Sequence, residues 1–390
     1  MAKSIPHKAA ATLVFGVLAF CGTVSGGPVT ITDLGVLPGY ADASIGAGVN
    51  NAGQVAGVSI YDTRGAAFLY SGGALTNLTA GDIDGGANAI NNSGQVAGEL
   101  ATLGGYRAFL YSGGVRTTLG TLGGNYSLAY GINDAGQVVG YSGTSLTSTF
   151  IEHAFLYSGG VMTDLGTLGG YLSDATAIND SGQIAGYSVN AQNNTVAFLY
   201  SGGTMRSLGT LGGSQSFAYG INASGQVVGY SRNAGDTLIL AFLDSGGVMT
   251  SLGTLGGGGS FATGINDSGQ VVGADYGPNE VVASAFLYSN GVMIDLYSLL
   301  PVGSGWSSLN TANSISDSGY ITGEGIIDGQ AHAYLLDIGS TTPVPEPGSL
   351  ALVGIVLLAA AVFHLLVPNL PAGGRRFLCR PEAGVRQARL

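Results

Sequence analysis

Between residues 30 and 338 the apolar positions come in short runs of five to seven, with clusters of Gly, Asn, Asp and Ser between them. One such series is Arg116–Leu122, Ser127–Asn133, Gln137–Ser142 and His153–Ser158. Each run is enriched in β-branched or aromatic residues and alternates in part, which is a strand signal, and the clusters between them are turn signals. No stretch of this region keeps a 3.6-residue apolar period for three turns, so the pattern predicts strands and no helix.

The runs recur. A phrase Ile/Val-Asn-x-x-Gly-Gln-Val/Ile starts at Val49, Ile90, Ile132, Ile178, Ile221 and Ile265, with a decayed copy from Ile315, at intervals of 41 to 50 residues. An AFLYSGG phrase keeps step, its aromatic at Phe68, Phe109, Phe155, Phe198, Phe242, Phe286 and Tyr334. A DLGTLGG phrase places Leu34, Leu78, Leu119, Leu165, Leu208, Leu252 and Leu296. A single active site needs one copy of its machinery, whereas seven copies mark a structural repeat.

Four strands in each repeat match one blade of a β-propeller, since a lone four-stranded sheet cannot bury both faces and stacking around an axis can. The expectation is an all-β chain, a propeller of seven four-stranded blades, with an open β-solenoid as the alternative. In the Asn-Asp-x-Gly segments, Gly136, Gly182 and Gly269 are expected to take the left-handed conformation that closes a hairpin. Asn133, Asp134, Asn179, Asp180, Asn266 and Asp267 are expected to bond nearby backbone and hold those turns. Asn92 and Ala223 stand in the Asp place in other repeats. One carboxylate per turn favours turn support over calcium, so no metal or other cofactor is expected.

The two ends read differently. Lys3 and Lys8 lead into an apolar run from Ala9 to Phe20, followed by small residues. This predicts a signal peptide over 1–26, too short to span a bilayer. Residues 27–340 then form the repeat domain and 341–347 a linker. The apolar run 348–367 is long enough for a transmembrane helix, and the Arg-rich 368–390 predicts a cytoplasmic tail.

Pro345-Glu346-Pro347, the apolar run, and Arg375 and Arg376 behind it resemble the PEP-CTERM sorting signal of Gram-negative bacteria that make extracellular polysaccharide. The repeats, as in residues 154–170 and 264–273, resemble the HAF-type extracellular repeat. The resemblance covers about 300 residues of repeat and about 35 of signal. It implies processing by an exosortase-type enzyme after an inner-membrane intermediate. It also implies a final place at the cell surface, outer envelope or extracellular matrix, with extracellular polysaccharide or a surface protein as partner. The chain departs from the pattern where Pro368 and Pro371 follow the apolar run and the tail continues to Leu390.

Composition narrows the partners. Residues 27–343 hold five Arg, no Lys and 21 acidic residues, a net of −16 against −11 for the whole chain. Such a surface repels nucleic acid and anionic headgroups. The two Cys, Cys21 and Cys379, lie outside the repeats. His153 and His332 each precede an AFLY-type run and have no metal-ligand spacing, and no nucleophile elbow is present. No catalytic residue stands out. The expectation is therefore a non-enzymatic binding scaffold, against the alternative of a secreted polysaccharide-active hydrolase or lyase.

The connectors between GQVVGYS and AFLY differ in every repeat and are expected on one face, the usual design of a binding surface. Their aromatic or charged members are Tyr61, Arg64, Tyr106, Arg107, Glu152, His153 and Tyr276. Trp306, the only Trp, is read either as a sugar-stacking platform or as cover for the ring closure.

Overall fold

The computed structural model describes residues 28–146, 151–277 and 283–339. The signal peptide, the Pro345–Pro347 motif, the 348–367 span and the Arg375–Arg376 cluster lie outside the described residues. Among the described residues there are 28 strands, one 3₁₀ turn at Leu296–Leu299 and no α-helix. No helix there is long and apolar enough to cross a membrane.

Unit three shows how the sequence makes its strands. Ser127–Ile132, Val138–Gly143, Glu152–Ser158 and Val161–Asp164 pair antiparallel in chain order. The first turn closes through Gly136 N–H to Asn133 O at 2.9 Å and Asn133 N–H to Gln137 O at 3.1 Å. Gly136 has φ +73°, the left-handed residue that ends a three-residue hairpin loop. Units one, two, four, five and six repeat this order.

The strand frame differs from the expected one. The TTLGTL run does not open a unit: Val115–Thr118 is the outer strand of unit two, paired with Gly105–Ser112. The seventh unit therefore lacks an outer strand of its own. Trp306–Ile315, Tyr320–Ile327 and Gln330–Asp337 are completed by Thr30–Asp33 from the other end of the repeats. His332 Nδ1 lies 2.9 Å from Asp33 Oδ1 across that seam.

Each unit's first strand contacts the first strand on either side, and Trp306–Ile315 meets Ala43–Val49. The two ends thus join, and the open solenoid is not what the chain forms. The core lies between units. Ala97, Ala108 and Leu119 of unit two pack with Ala129, Ile132, Val138 and Phe155 of unit three. Phe155 is fully buried, as are its counterparts in the other units. Fully burying one such side chain is worth about 1.5–3 kcal/mol, and the arrangement recurs around the fold.

The first two strands of unit three approach closely where Gly140 faces Leu128 and Ala129. A Cβ on Gly140 would overlap Leu128 O and lie 2.9 Å from Ala129 Cα. This Gly of the GQVVG phrase is thus a matter of space.

Candidate ligand site at the connector end

The two ends of the repeat domain have different chemistry. At the Asn-x-x-Gly end, the Asn of each unit is shared between its own turn and the next unit. Asn133 Oδ1 accepts from Gln137 N–H at 3.0 Å, and its Nδ2 donates to Gln137 Oε1 at 2.8 Å and to Asn179 O at 3.1 Å. Asn50, Asn91, Asn179, Asn222 and Asn266 likewise donate to the next carbonyl.

The following residue makes a second link. Asp134 N–H donates to Asp180 Oδ1 and Asp267 N–H to Asp317 Oδ1, each at 2.8 Å. Asp317 N–H donates to Asn51 Oδ1 at 2.9 Å, across the chain ends. The expectation that Asp134, Asp180 and Asp267 brace their own turns is corrected: each carboxylate holds the neighbouring unit's backbone. The series breaks at Ala223, which offers Asp180 N–H no side-chain acceptor. Among the described residues no three His, Cys, Asp or Glu side chains group as a metal site.

At the other end the first two strands of units three to six carry aromatic rings. Tyr130 and Tyr141 stack at 5.7 Å, Phe217 and Tyr230 at 4.9 Å, and Tyr219 and Tyr230 at 5.8 Å. Tyr187 meets Phe217 edge-on at 4.9 Å, and Phe261 lies 5.2 Å from Tyr276. Between units five and six is a cleft of about 680 Å³, lined by Tyr219, Tyr230, Arg232, Phe261 and Tyr276, by connector residues Thr237–Ile239 and by Gly258–Gly259 at the start of unit six. That volume lies within the usual range for small-molecule sites.

Carboxyl groups flank the rings in units two to four. Glu99 accepts from Asn88 Nδ2 at 2.5 Å, and burial pushes its pKa up to about 7 against the lowering effect of that bond. Asp174 accepts from the Tyr187 hydroxyl, and burial raises it to about 7 as well. Its Oδ1 is buried with no partner among the described residues. Tyr126 donates to Glu152 Oε2 at 2.8 Å. Burial pushes Tyr141 up to about 12. The result is a set of ring faces beside protonatable carboxyls, which can stack a ligand ring, accept and donate hydrogen bonds, and exchange a proton near neutral pH.

Of the residues expected at the connector end, Tyr276 lines the cleft. Tyr61 and Arg64 face each other across a hairpin tip, with Tyr61 54% exposed. Tyr106 donates to Asp84 Oδ2 at 2.5 Å, and Arg107 donates to the carbonyls of Tyr106 and Asn125. His153 is set on the third strand, 2.8 Å from Asp164 Oδ2 on the fourth, and takes no part in the inner-strand site. Trp306 is corrected as a binding-loop residue: it is 5% exposed, in the core of unit seven, with its ring edge-on to Tyr334 at 5.9 Å.

Sequence reasoning missed Tyr219, Tyr230, Arg232, Glu99 and Asp174. The signal that finds Tyr219, Tyr230 and Glu99 is variation inside the constant tile. The residue three before each Asn reads Ala47, Asn88, Tyr130, Thr176, Tyr219, Thr263 and Asn313. The second-strand position four after each Gln is equally varied: Val58, Glu99, Tyr141, Tyr187, Tyr230, Ala274 and, where Tyr320 replaces Gln, Glu324.

No family model and no curated protein matches the sequence. Solved structures share the fold at low identity. A puromycin-hydrolyzing peptidase from Mycobacterium tuberculosis matches with TM-score 0.50 and 13% identity, over 74% of this chain and 50% of that one. The β-propeller domain of the Trilobed protease from Pyrococcus furiosus matches with TM-score 0.49 and 8% identity, over 76% and 93%. TolB from Acinetobacter baumannii matches with TM-score 0.40 and 17% identity, over 52% of each chain. The likeness shows a β-propeller and no more. It overturns one expectation: a chain named as a peptidase carries this fold, so a non-enzymatic scaffold does not follow from the architecture. Its other ground, that no catalytic residue stands out in the sequence, is weakened by Glu99 and Asp174, carboxyls on the first two strands of their units whose pKa burial raises.

Proposed function

We propose that the chain is an exported seven-bladed β-propeller that engages extracellular carbohydrate at its connector end. The observation that carries this is the cleft between units five and six, where aromatic faces of Tyr219, Tyr230, Phe261 and Tyr276 converge with few but directional polar groups. Sugar rings present apolar C–H faces and hydroxyl edges, and aromatic rings beside hydrogen-bonding side chains complement both. The count of seven blades is supported by seven four-strand sets whose first strands touch in a closed cycle.

Export is supported by the 1–26 segment and by the resemblance of Pro345-Glu346-Pro347, the 348–367 run and Arg375–Arg376 to a PEP-CTERM signal. In this reading an exosortase-type enzyme processes a membrane-held intermediate and leaves the propeller at the surface or in the matrix. Calorimetry of the full chain with the host's own extracellular polysaccharide tests the binding role. Saturable binding that Tyr219→Ala weakens about tenfold is expected, and its absence removes the proposal.

A second reading has its own observation. Glu99 and Asp174, both raised to about 7, suit proton transfer to or from a glycan, as a hydrolase or lyase requires. Release of reducing ends or unsaturated products, lost in Glu99→Gln or Asp174→Asn, is the outcome expected of it. Intact polysaccharide after long incubation with wild-type chain rejects it.

A further inference from the structure

We propose that the sugar taken by the cleft between units five and six carries a carboxylate, and that Arg232 reads it. This rests on the carbohydrate reading above and adds the class of ligand. Arg232 is one of five Arg among residues 27–343, which hold 21 acidic residues. Arg116, by contrast, is committed to Asp82 at 2.5 Å and to Leu78 O at 2.6 Å.

Arg232 is held loosely. Its Nε reaches Gln215 Oε1 at 3.4 Å and its Nη1 reaches Asp236 O at 3.4 Å. Among the described residues no carboxylate lies within ion-pair distance of it. The carboxylates of Asp236 and of Asp275, next to the cleft residue Tyr276, are turned to other work. Asp236 Oδ1 accepts from Ser214 N–H at 2.8 Å and from Ser214 Oγ at 3.1 Å. Asp275 Oδ2 accepts from Leu255 N–H at 2.9 Å. A guanidinium offers five donors in a planar fork that matches a carboxylate with two parallel bonds.

Placement makes the group a reader of ligand. Arg232 lies two residues beyond Tyr230 on the same strand, and both line the cleft that Tyr219, Phe261 and Tyr276 also line. A pyranose ring lying on an aromatic face projects an equatorial substituent outward from its edge, so one aromatic wall and one fork together select a ring with one acidic arm. The net charge of −16 works against any anion at long range. That field is screened beyond about 8 Å at physiological ionic strength, while the short contact inside the cleft is not. A short oligosaccharide with few carboxylates therefore fits better than a dense polyanion.

The test compares two probes on the full chain by calorimetry at about 0.15 M salt. One is a trimer of uronic acids; the other is the same trimer with its carboxyls reduced to alcohols. The uronate should bind at least tenfold more tightly. Arg232→Gln should lower uronate affinity to that of the reduced trimer, Arg232→Lys should recover part of it, and Tyr219→Ala should weaken both probes. Near-UV circular dichroism checks that each variant keeps its fold, and the two-probe comparison on wild type stands without any variant. Equal affinity for both trimers overturns the carboxylate inference and leaves the carbohydrate reading intact. So does a uronate preference that Arg232→Gln leaves unchanged, because the carboxylate is then read elsewhere. Failure of both trimers to bind removes the inference together with the reading on which it rests.

Discussion

Ala223 interrupts an otherwise regular series of links between units, so adding a side-chain oxygen there should stabilise the protein. In other units the residue after the turn Asn accepts a hydrogen bond from the preceding unit's backbone, as in Asn51 N–H to Asn92 Oδ1 at 3.0 Å and Ala223 N–H to Asp267 Oδ1 at 2.8 Å. Asp180 N–H has no such acceptor because Ala223 ends at Cβ. Asn is the residue of choice, since Asn92 already serves in that place and a further Asp would face the carboxylates of Asp180 and Asp267. A backbone-to-side-chain bond is worth about 0.5–1.5 kcal/mol net, and fixing one partly exposed Asn offsets some of it, leaving about 0.5–1 kcal/mol.

With an unfolding entropy of about 2.1 cal/mol/K per residue over roughly 310 residues, Ala223→Asn should raise Tm by about 1 to 1.5 °C. Asn92→Ala is the mirror experiment. It removes the bond from Asn51 N–H and also the Asn92 Nδ2 to Asp134 Oδ2 contact at 2.9 Å. It should lower Tm by about 1.5–3 °C on the same scale. Scanning calorimetry on both variants at one pH and salt resolves these shifts. An unchanged or lowered Tm for Ala223→Asn, with Asn92→Ala also silent, would show that links between turns do not support the ring.

Gly140→Ala should destabilise by about 1–3 kcal/mol, because its Cβ has no room against Leu128 and Ala129, whereas Gly159→Ala, with φ +58° and nothing within 4 Å, should cost about 1 kcal/mol of backbone strain only; thermal melts of the pair separate the two causes. Glu99 and Asp174 keep their protons in the folded chain to about pH 7, from ordinary values of 4.5 and 3.8. The stability they contribute is complete below the unfolded values and is lost as pH rises from about 4 to about 7, so Glu99→Gln with Asp174→Asn should flatten the fall in Tm over that window. A slope equal to wild type counts against their burial as acids. Deleting Thr30–Asp33 should leave Gln330–Asp337 as an open edge, and hydrogen exchange at Thr322 and Leu335 should rise while unit three stays protected; uniform loss of protection would mean that closure is not local.

How much of this is legible in the sequence depends on whether a residue serves the tile or departs from it. Phe155, Leu119, Gly136 and Gly140 serve it: each has a local geometric task, so each recurs and is found by counting. The closing strand was legible in part, because the ITDLG run before Gly35 matches the MTDLG run before Gly166. The unit boundary was not, since a repeat has no intrinsic starting point and only pairing assigns Val115–Thr118 to unit two. The Asp links were hidden for a related reason: the partner of Asp134 is Asp180, 46 residues on, and nothing local says that two turns meet. Tyr230, Arg232, Glu99 and Asp174 are harder still. They occupy positions the tile leaves free, and only the closed ring brings those positions from different units to one end of the fold.

The central claim is that ligand enters at the connector end between units five and six, and hydrogen–deuterium exchange with and without saturating uronic-acid trimer tests it most directly. Slowed exchange is predicted in the segments around Arg232–Ile239, Gly258–Phe261 and Tyr276, which line the cleft, with the Asn-x-x-Gly turns unchanged. Protection confined to the turns around Asn133, Asn179 and Asn222, or no protection anywhere at saturation, would contradict the claim.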